Sequence, residues 1–228
     1  MQPVRPTNLS EPATACLAVL VEAGLAGHVS IGGALGLLHY HNYRTTHDID
    51  AWWEPAVTSE QQQQVIAVLE RTLARYGQVR RRQWGDVTCV DIVQSGNVGF
   101  SFQIARRSVR LEPSVRDPAH HVLLDSLNDL IASKMVALVE RGAPRDFRDI
   151  HEVCASGLGT PAGCWALWKE RQTRSGGDSE PSRAKLAVET HLQRIAQHRP
   201  LASIDDARQR GEAERVRRWF REVLLNAL

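Results

Sequence analysis

The hydrophobic pattern changes character midway along the chain. Apolar residues at helical spacing (Ala15, Leu17, Leu20, Val21, Leu25) predict a helix over residues 11–26. A short strand over 28–31 follows, broken by Gly32-Gly33, and residues 34–41 read as helical. Residues 49–53 alternate as a strand and stop at Pro55. Thr58 or Ser59 caps a helix running to about residue 76. Two or three strands are expected next, at 78–84, 87–94 and 98–104, joined by hairpin turns at Gly85-Asp86 and Ser95-Gly96-Asn97. Residues 105–121 look irregular. Ser126 with Asp129 marks the start of a helix to about residue 141, and another spans 145–155. Beyond that the pattern is helical, at 184–198 and 205–226 and between two loop-like stretches, 156–163 and 174–182. The layout is α+β: a mixed sheet flanked by helices over residues 1–125, then a C-terminal helical region over 126–228.

Composition narrows the class. At 43% hydrophobic and 24% charged, the 228 residues suit a globular chain with a real core. A net charge of +2 does not by itself imply nucleic acid. The arginines are clustered, however, and Arg80 to Arg82 with Arg106, Arg107 and Arg110 form either an RNA-facing basic surface or a solvated charged face. Cys16, Cys89, Cys154 and Cys164 lack metal-site spacing and read as free thiols in a reducing compartment. No leader-like segment or membrane-length apolar run is visible, so a cytoplasmic location is expected and no membrane partner.

The candidate chemistry starts at Asp48-Ile49-Asp50. Residues two apart on a strand share a face, with Cα atoms roughly 6.5–7 Å apart. Two carboxylates so placed can converge on Mg²⁺, a hard cation that prefers oxygen ligands. Asp91 is the lone charge in the strand Val87–Gln94. It points either to a neighbouring metal site or to an edge strand with Asp91 in solvent. Gly32-Gly33 lets backbone approach a phosphate, and the helix that follows would present its free N–H groups. In a second segment, Lys134, Ala137 and Arg141 share one helix stripe, opposite Leu130, Ile131, Met135 and Leu138. A lysine point charge beside a planar arginine fork suits a polyphosphate. Asp146 and Asp149 share a face of the next helix, where Arg145 is placed to pair with Asp149. His39, His41 and His47 crowd the first segment and are read as helix and entrance residues, not zinc ligands. One of Trp52 and Trp53 could stack on a base, with core packing the alternative. His120-His121 is assigned no role.

The stretch IGGALGLLHYHNYRTTHDIDAWW (residues 31–53) resembles the first motif of the AbiEii-type toxin nucleotidyltransferases, related to the MenT toxins. DLIASKMVALVERGAPRDFRDIHEV (residues 129–153) resembles their lysine-bearing helix and the segment after it. The resemblance implies a nucleotidyltransferase core of the polymerase-beta-like kind. It implies that Gly32 and Gly33 contact an NTP, that Arg44 and Thr46 match the Arg-x-Ser/Thr step, and that Lys134 and Arg141 meet the triphosphate. Asp48, Asp50 and Asp91 would hold Mg²⁺, with Lys134 and Asp146 completing the catalytic set. One departure is Ala34, where the family usually carries Thr or Ser. The expected activity is Mg-dependent nucleotidyl transfer from an NTP to RNA, often the tRNA 3′ end, by a toxin with a cognate antitoxin. Alternatives are a small-molecule, aminoglycoside-type nucleotidyltransferase, or a nucleotide-sensing or protein-interaction module on the same fold.

Overall fold

The computed structural model describes residues 2–118 and 121–228; His120, left without a role above, lies outside the described residues. The chain divides into two compact units, residues 1–130 and 131–228.

The first unit is a mixed seven-stranded sheet with helices, in the order β3-β4-β5-β2-β1-β7-β6. The strands are β1 (Val29–Ile31), β2 (Asp48–Trp53), β3 (Gln78–Trp84), β4 (Val87–Gln94), β5 (Asn97–Ala105), β6 (Val115–Arg116) and β7 (Leu123–Leu124). Central β2 pairs antiparallel with β1 and parallel with β5, and β3, β4 and β5 form an antiparallel meander. Helices α1 (Glu11–Glu22), α2 (Gly33–Leu38) and α3 (Ser59–Leu73) interleave with the strands.

Local chemistry sets the element ends. Helix α1 stops at Glu22, earlier than its apolar pattern suggests, and is followed by Gly24 at φ +71°. Helix α3 opens with a reciprocal cap: Gln61 N–H donates to Thr58 Oγ1 and Thr58 N–H to Gln61 Oε1. The β4–β5 hairpin turns through Ser95 and Gly96, both at positive φ, the geometry that matches strand twist. The two-residue strand β6 falls within the stretch expected to be irregular, and β7 falls just beyond it, where no element was expected. They are too short to show a period and form because β7 finds β1 as a parallel neighbour.

Strand β2 alternates strictly between half-buried and buried positions. Its buried set, Ile49, Ala51 and Trp53, joins Val90, Ile92, Phe100, Phe102 and Ile104 of β4 and β5. Helices α1 and α3 cover that face with Leu17, Leu20, Val65, Leu69 and Leu73. The acidic residues of β2 are thereby left on the sheet's second face.

Helix α4 (Leu127–Glu140) begins in the first unit and continues into the second. Its start follows the expected signal: Ser126 Oγ accepts from Asp129 N–H at 3.0 Å. The second unit adds α5 (Pro144–Ala155), α6 (Pro161–Ser175), α7 (Pro181–His198) and α8 (Ala207–Glu222). Its interior includes Phe147 edge-on to Phe220, and Trp165, whose indole N–H donates to the Leu224 carbonyl. All four cysteines are free thiols. No helix among the described residues is long and apolar enough to cross a membrane.

Phe102 is fully buried at the centre of the first core. Phe102→Ala is expected to cost about 3–5 kcal/mol of unfolding free energy, read from urea denaturation followed by circular dichroism.

Candidate active site

Strand register gathers the polar residues of the second face into rows. Asp48 lies opposite Ser101, which lies opposite Asp91 and then Arg80. In the next row Asp50 is followed by Gln103, Cys89 and Arg82. Asp48 and Asp91 therefore belong to one row, two strand spacings or about 10 Å apart at Cα.

Each acid is held differently. Asp48 accepts a short bond, 2.5 Å, from the Thr46 hydroxyl. Asp50 lies against Gly33, the first residue of the six-residue helix α2. A Cβ on Gly33 would sit 2.1 Å from Asp50 Oδ2, and Gly33 has φ +58°. Space and backbone conformation thus both demand glycine there. The strand and turn are further joined by Gly32 N–H donating to the Asp50 carbonyl at 2.8 Å.

Asp91 is not the solvent-exposed edge residue that one reading of its lone charge suggested. Strand β4 is internal to the sheet and Asp91 is fully buried. Its carboxylate is satisfied from neighbouring strands: Ser101 Oγ donates at 2.8 Å, Arg82 Nε at 2.5 Å, and Arg80 stands at 3.6 Å. Burial alone would raise its pKa, but the hydrogen bonds from Arg82 and Ser101 and the two arginine charges outweigh it and hold the carboxyl below its ordinary value.

Asp48 and Asp50 suit a magnesium ion. Mg²⁺ keeps several waters and is commonly bound by one or two carboxylates, and these two share a half-buried face. Among the described residues no group of three or more His, Cys, Asp or Glu side chains is gathered as a cage. Asp91's oxygens are occupied by Ser101 and the arginines. Of the remaining residues in this segment, the Arg44 guanidinium donates to the Thr45 carbonyl and lies over the Tyr43 ring. His39 is buried and bonds the Leu35 carbonyl, and His47 is exposed.

A second network, invisible in the sequence, borders the glycine turn. The Arg107 side chain is only 6% exposed, so it is no part of a basic surface. Its guanidinium bonds Asp125, reaches Ser30 Oγ at 3.2 Å and Asp129 at 3.4 Å, and stacks over Trp52. Arg110 likewise pairs with Glu54. Trp52 Nε1 and Asp125 Oδ2 are buried without hydrogen-bond partners among the described residues. Both press on Gly32, where a Cβ would meet them at 2.5 and 3.0 Å. Burial pushes Asp125 up to about 6 against the pull of Arg107. No local motif announces this network, since its members come from β1, β2, α4 and the intervening loops.

In the second unit, Lys134 Nζ stands 2.6 Å from Asp149 Oδ2. Asp149 thus has Lys134 as a partner, where the sequence suggested Arg145. Arg141 grips Asp146 with a two-bond fork, each bond 2.9 Å, and Asp146 also accepts from Ala143 N–H at 3.1 Å. Asp146 and Asp149 are both fully buried.

Two outcomes follow from the first unit. Gly33→Ala should cost at least about 1 kcal/mol of stability, because a β-carbon at positive φ is strained before the clash with Asp50 is counted; urea denaturation reads this, and an unchanged midpoint would contradict the close contact. Asp91 has a folded pKa below its unfolded value near 4, so its stabilisation is complete above about pH 4 and is lost as pH falls through the folded pKa. Asp91→Asn should therefore destabilise by about 1–3 kcal/mol at pH 7, and wild type and variant should converge in unfolding titrations once the pH has fallen through the folded pKa of Asp91.

The family model described as "Nucleotidyl transferase AbiEii toxin, Type IV TA system" matches residues 16–224. No curated protein matches the chain. The crystal structure of an antigenic nucleotidyltransferase-like protein from Paracoccidioides brasiliensis is similar at 14% identity and a TM-score of 0.45, over 91% of this chain and 94% of that one. With nearly its whole length inside the match, the chain belongs to the AbiEii family of nucleotidyl transferase toxins.

Proposed function

We propose that this nucleotidyltransferase moves a nucleotidyl group from an NTP to an RNA hydroxyl, with the tRNA 3′ end as acceptor, and that Mg²⁺ is its metal. The observation that carries the reading is the pairing of Asp48 and Asp50 on one face of β2, with the Gly33 backbone against the second carboxylate.

In this reading Asp48 and Asp50 hold the magnesium, which when bound neutralises phosphate charge and acidifies the attacking hydroxyl. Asp91 completes the carboxylate set, kept ionised by Arg82 and Ser101. Gly32 and Gly33 leave room for phosphate oxygens to approach the backbone, and Arg44 and Thr46 supply the family's Arg-x-Ser/Thr step. Thr46 orients Asp48 through its hydroxyl. The family resemblance assigns Lys134 and Arg141 to the triphosphate. Each is held by a buried acid, Asp149 and Asp146 respectively, which fixes the long side chain before substrate arrives. Asp146 acts by positioning Arg141. The type IV toxin–antitoxin description of the family supports a cognate antitoxin as the biological counterpart.

The test is transfer of label from radiolabelled NTPs. Wild type with Mg²⁺ should label RNA, and from a panel containing tRNA, messenger RNA, protein and an aminoglycoside it should choose tRNA. Asp48→Asn with Asp50→Asn should lower transfer at least a thousandfold (about 4 kcal/mol of barrier). A folded double variant that labels RNA as well as wild type removes the mechanism. Preferential labelling of the aminoglycoside removes the acceptor assignment and leaves the metal site standing.

A further inference from the structure

The helices of the second unit surround a cavity that nucleotidyl transfer does not use. Its volume is about 460 Å³, within the span of roughly 300–1,000 Å³ typical of small-molecule sites. Phe147, Leu192, Ile195 and Val216 supply an apolar wall. Arg199, Arg208 and Arg217 supply positive charge. Two acids also reach the lining, and both are engaged. Asp206 caps α8 by accepting from Gln209 N–H at 2.7 Å, and Glu212 pairs with Arg148 at 2.6 Å.

Arg217 is the informative residue. It is 8% exposed, and its guanidinium donates to the Arg199 carbonyl at 2.7 Å. Among the described residues no carboxylate lies within ion-pairing distance of it. Burial first, then the charges of Arg221 and Arg199, depress its pKa. Taking a cation out of water without an anion nearby is costly, which is why removing one partner of a buried pair strongly destabilises a fold. An anion bound beside Arg217 would lift this penalty, and the adjoining wall is apolar.

We propose that this cavity binds a small amphipathic anion: one phosphate or carboxylate head at Arg217, flanked by Arg199 and Arg208, and an apolar body against Phe147, Leu192, Ile195 and Val216. Inorganic phosphate would leave the wall unfilled, and a neutral amphiphile would leave the charge uncompensated. None of the residues that line it is among those assigned to nucleotidyl transfer.

Calorimetric titration of the full chain with octyl phosphate and with octanoate tests this, with inorganic phosphate and octanol as controls. The expected result is saturable binding of one anion per chain, the stronger of the two anions identifying the head group. Both controls should bind at least about tenfold more weakly, as expected when a charge-assisted bond or the apolar burial is missing. Arg217→Gln should weaken binding by a similar factor, with helicity unchanged by circular dichroism. Ala213→Trp, which fills the cavity and keeps the arginine, should abolish it. No saturable binding, octanol binding as tightly as the anions, or a folded Arg217→Gln chain that binds as well as wild type overturns the proposal. Should Arg217→Gln fail to fold, Ala213→Trp decides: unchanged binding overturns it and lost binding upholds it.

Discussion

The register of β2 in the sheet is the constraint on which the first unit depends. Its side chains alternate with period two, so Ile49, Ala51 and Trp53 enter the core only if Asp48, Asp50 and Trp52 face the other way. A slip of one residue would drive both acids into a core lined by Phe102, Leu69 and Leu73. Hydrophobic burial therefore enforces the placement of the acids, although it makes no contact with them. The same pairing sets Ser101 between Asp48 and Asp91 and brings Arg80 and Arg82 alongside. Core packing and site assembly are two faces of one register.

The electrostatics of the second face follow from that placement. Asp91 is fully buried and ionised because two arginines and a serine from adjacent strands reach it. Asp125 is just as deeply buried and has a cation partner in Arg107, yet its second oxygen has no donor among the described residues and its pKa rises. At Asp91 the hydrogen bonds and the two arginine charges outweigh desolvation, whereas at Asp125 desolvation, with the nearby charge of Asp129, outweighs the pull of Arg107 and Ser30. A carboxyl of raised pKa also stabilises in the opposite pH sense to Asp91: its contribution is complete at low pH and declines as pH rises through about 6.

Local sequence carried much of this fold. The Thr58 cap, the Ser126–Asp129 start and the turns at Gly85 and Ser95-Gly96 are short-range signals, each with a mechanism within a few residues. Asp48-Ile49-Asp50 was legible for the same reason, since a strand's period decides which residues share a face. Strands β6 and β7 were not, because two residues carry no periodicity and β7 is specified by β1, far away in the chain. The partners of Asp91 were hidden too: its isolation in an uncharged strand marked it as unusual, but Arg82 and Ser101 are chosen by strand pairing. Arg107 was misjudged as surface, since a run of arginines says nothing of the acids folded against one of them. The resemblance of residues 31–53 and 129–153 to a family reached the activity, which composition and charge left open.

Several buried charges among the described residues follow one rule, a partner of opposite sign. Arg107 meets Asp125 and Asp129, Lys134 meets Asp149, and Asp146 meets Arg141. These pairs hold their members in fixed geometry, and removing either partner would strand the other in a poorly solvated place. Arg217 breaks the rule within the same molecule: it is as buried as Lys134, and the charges around it are those of other arginines. A side chain as long as arginine's can usually extend to water and avoid such a cost. Arg217 is instead held by the Arg199 carbonyl at the edge of an apolar cavity. That is the arrangement the proposed anion would complete, by supplying the counter-charge that no carboxylate among the described residues provides.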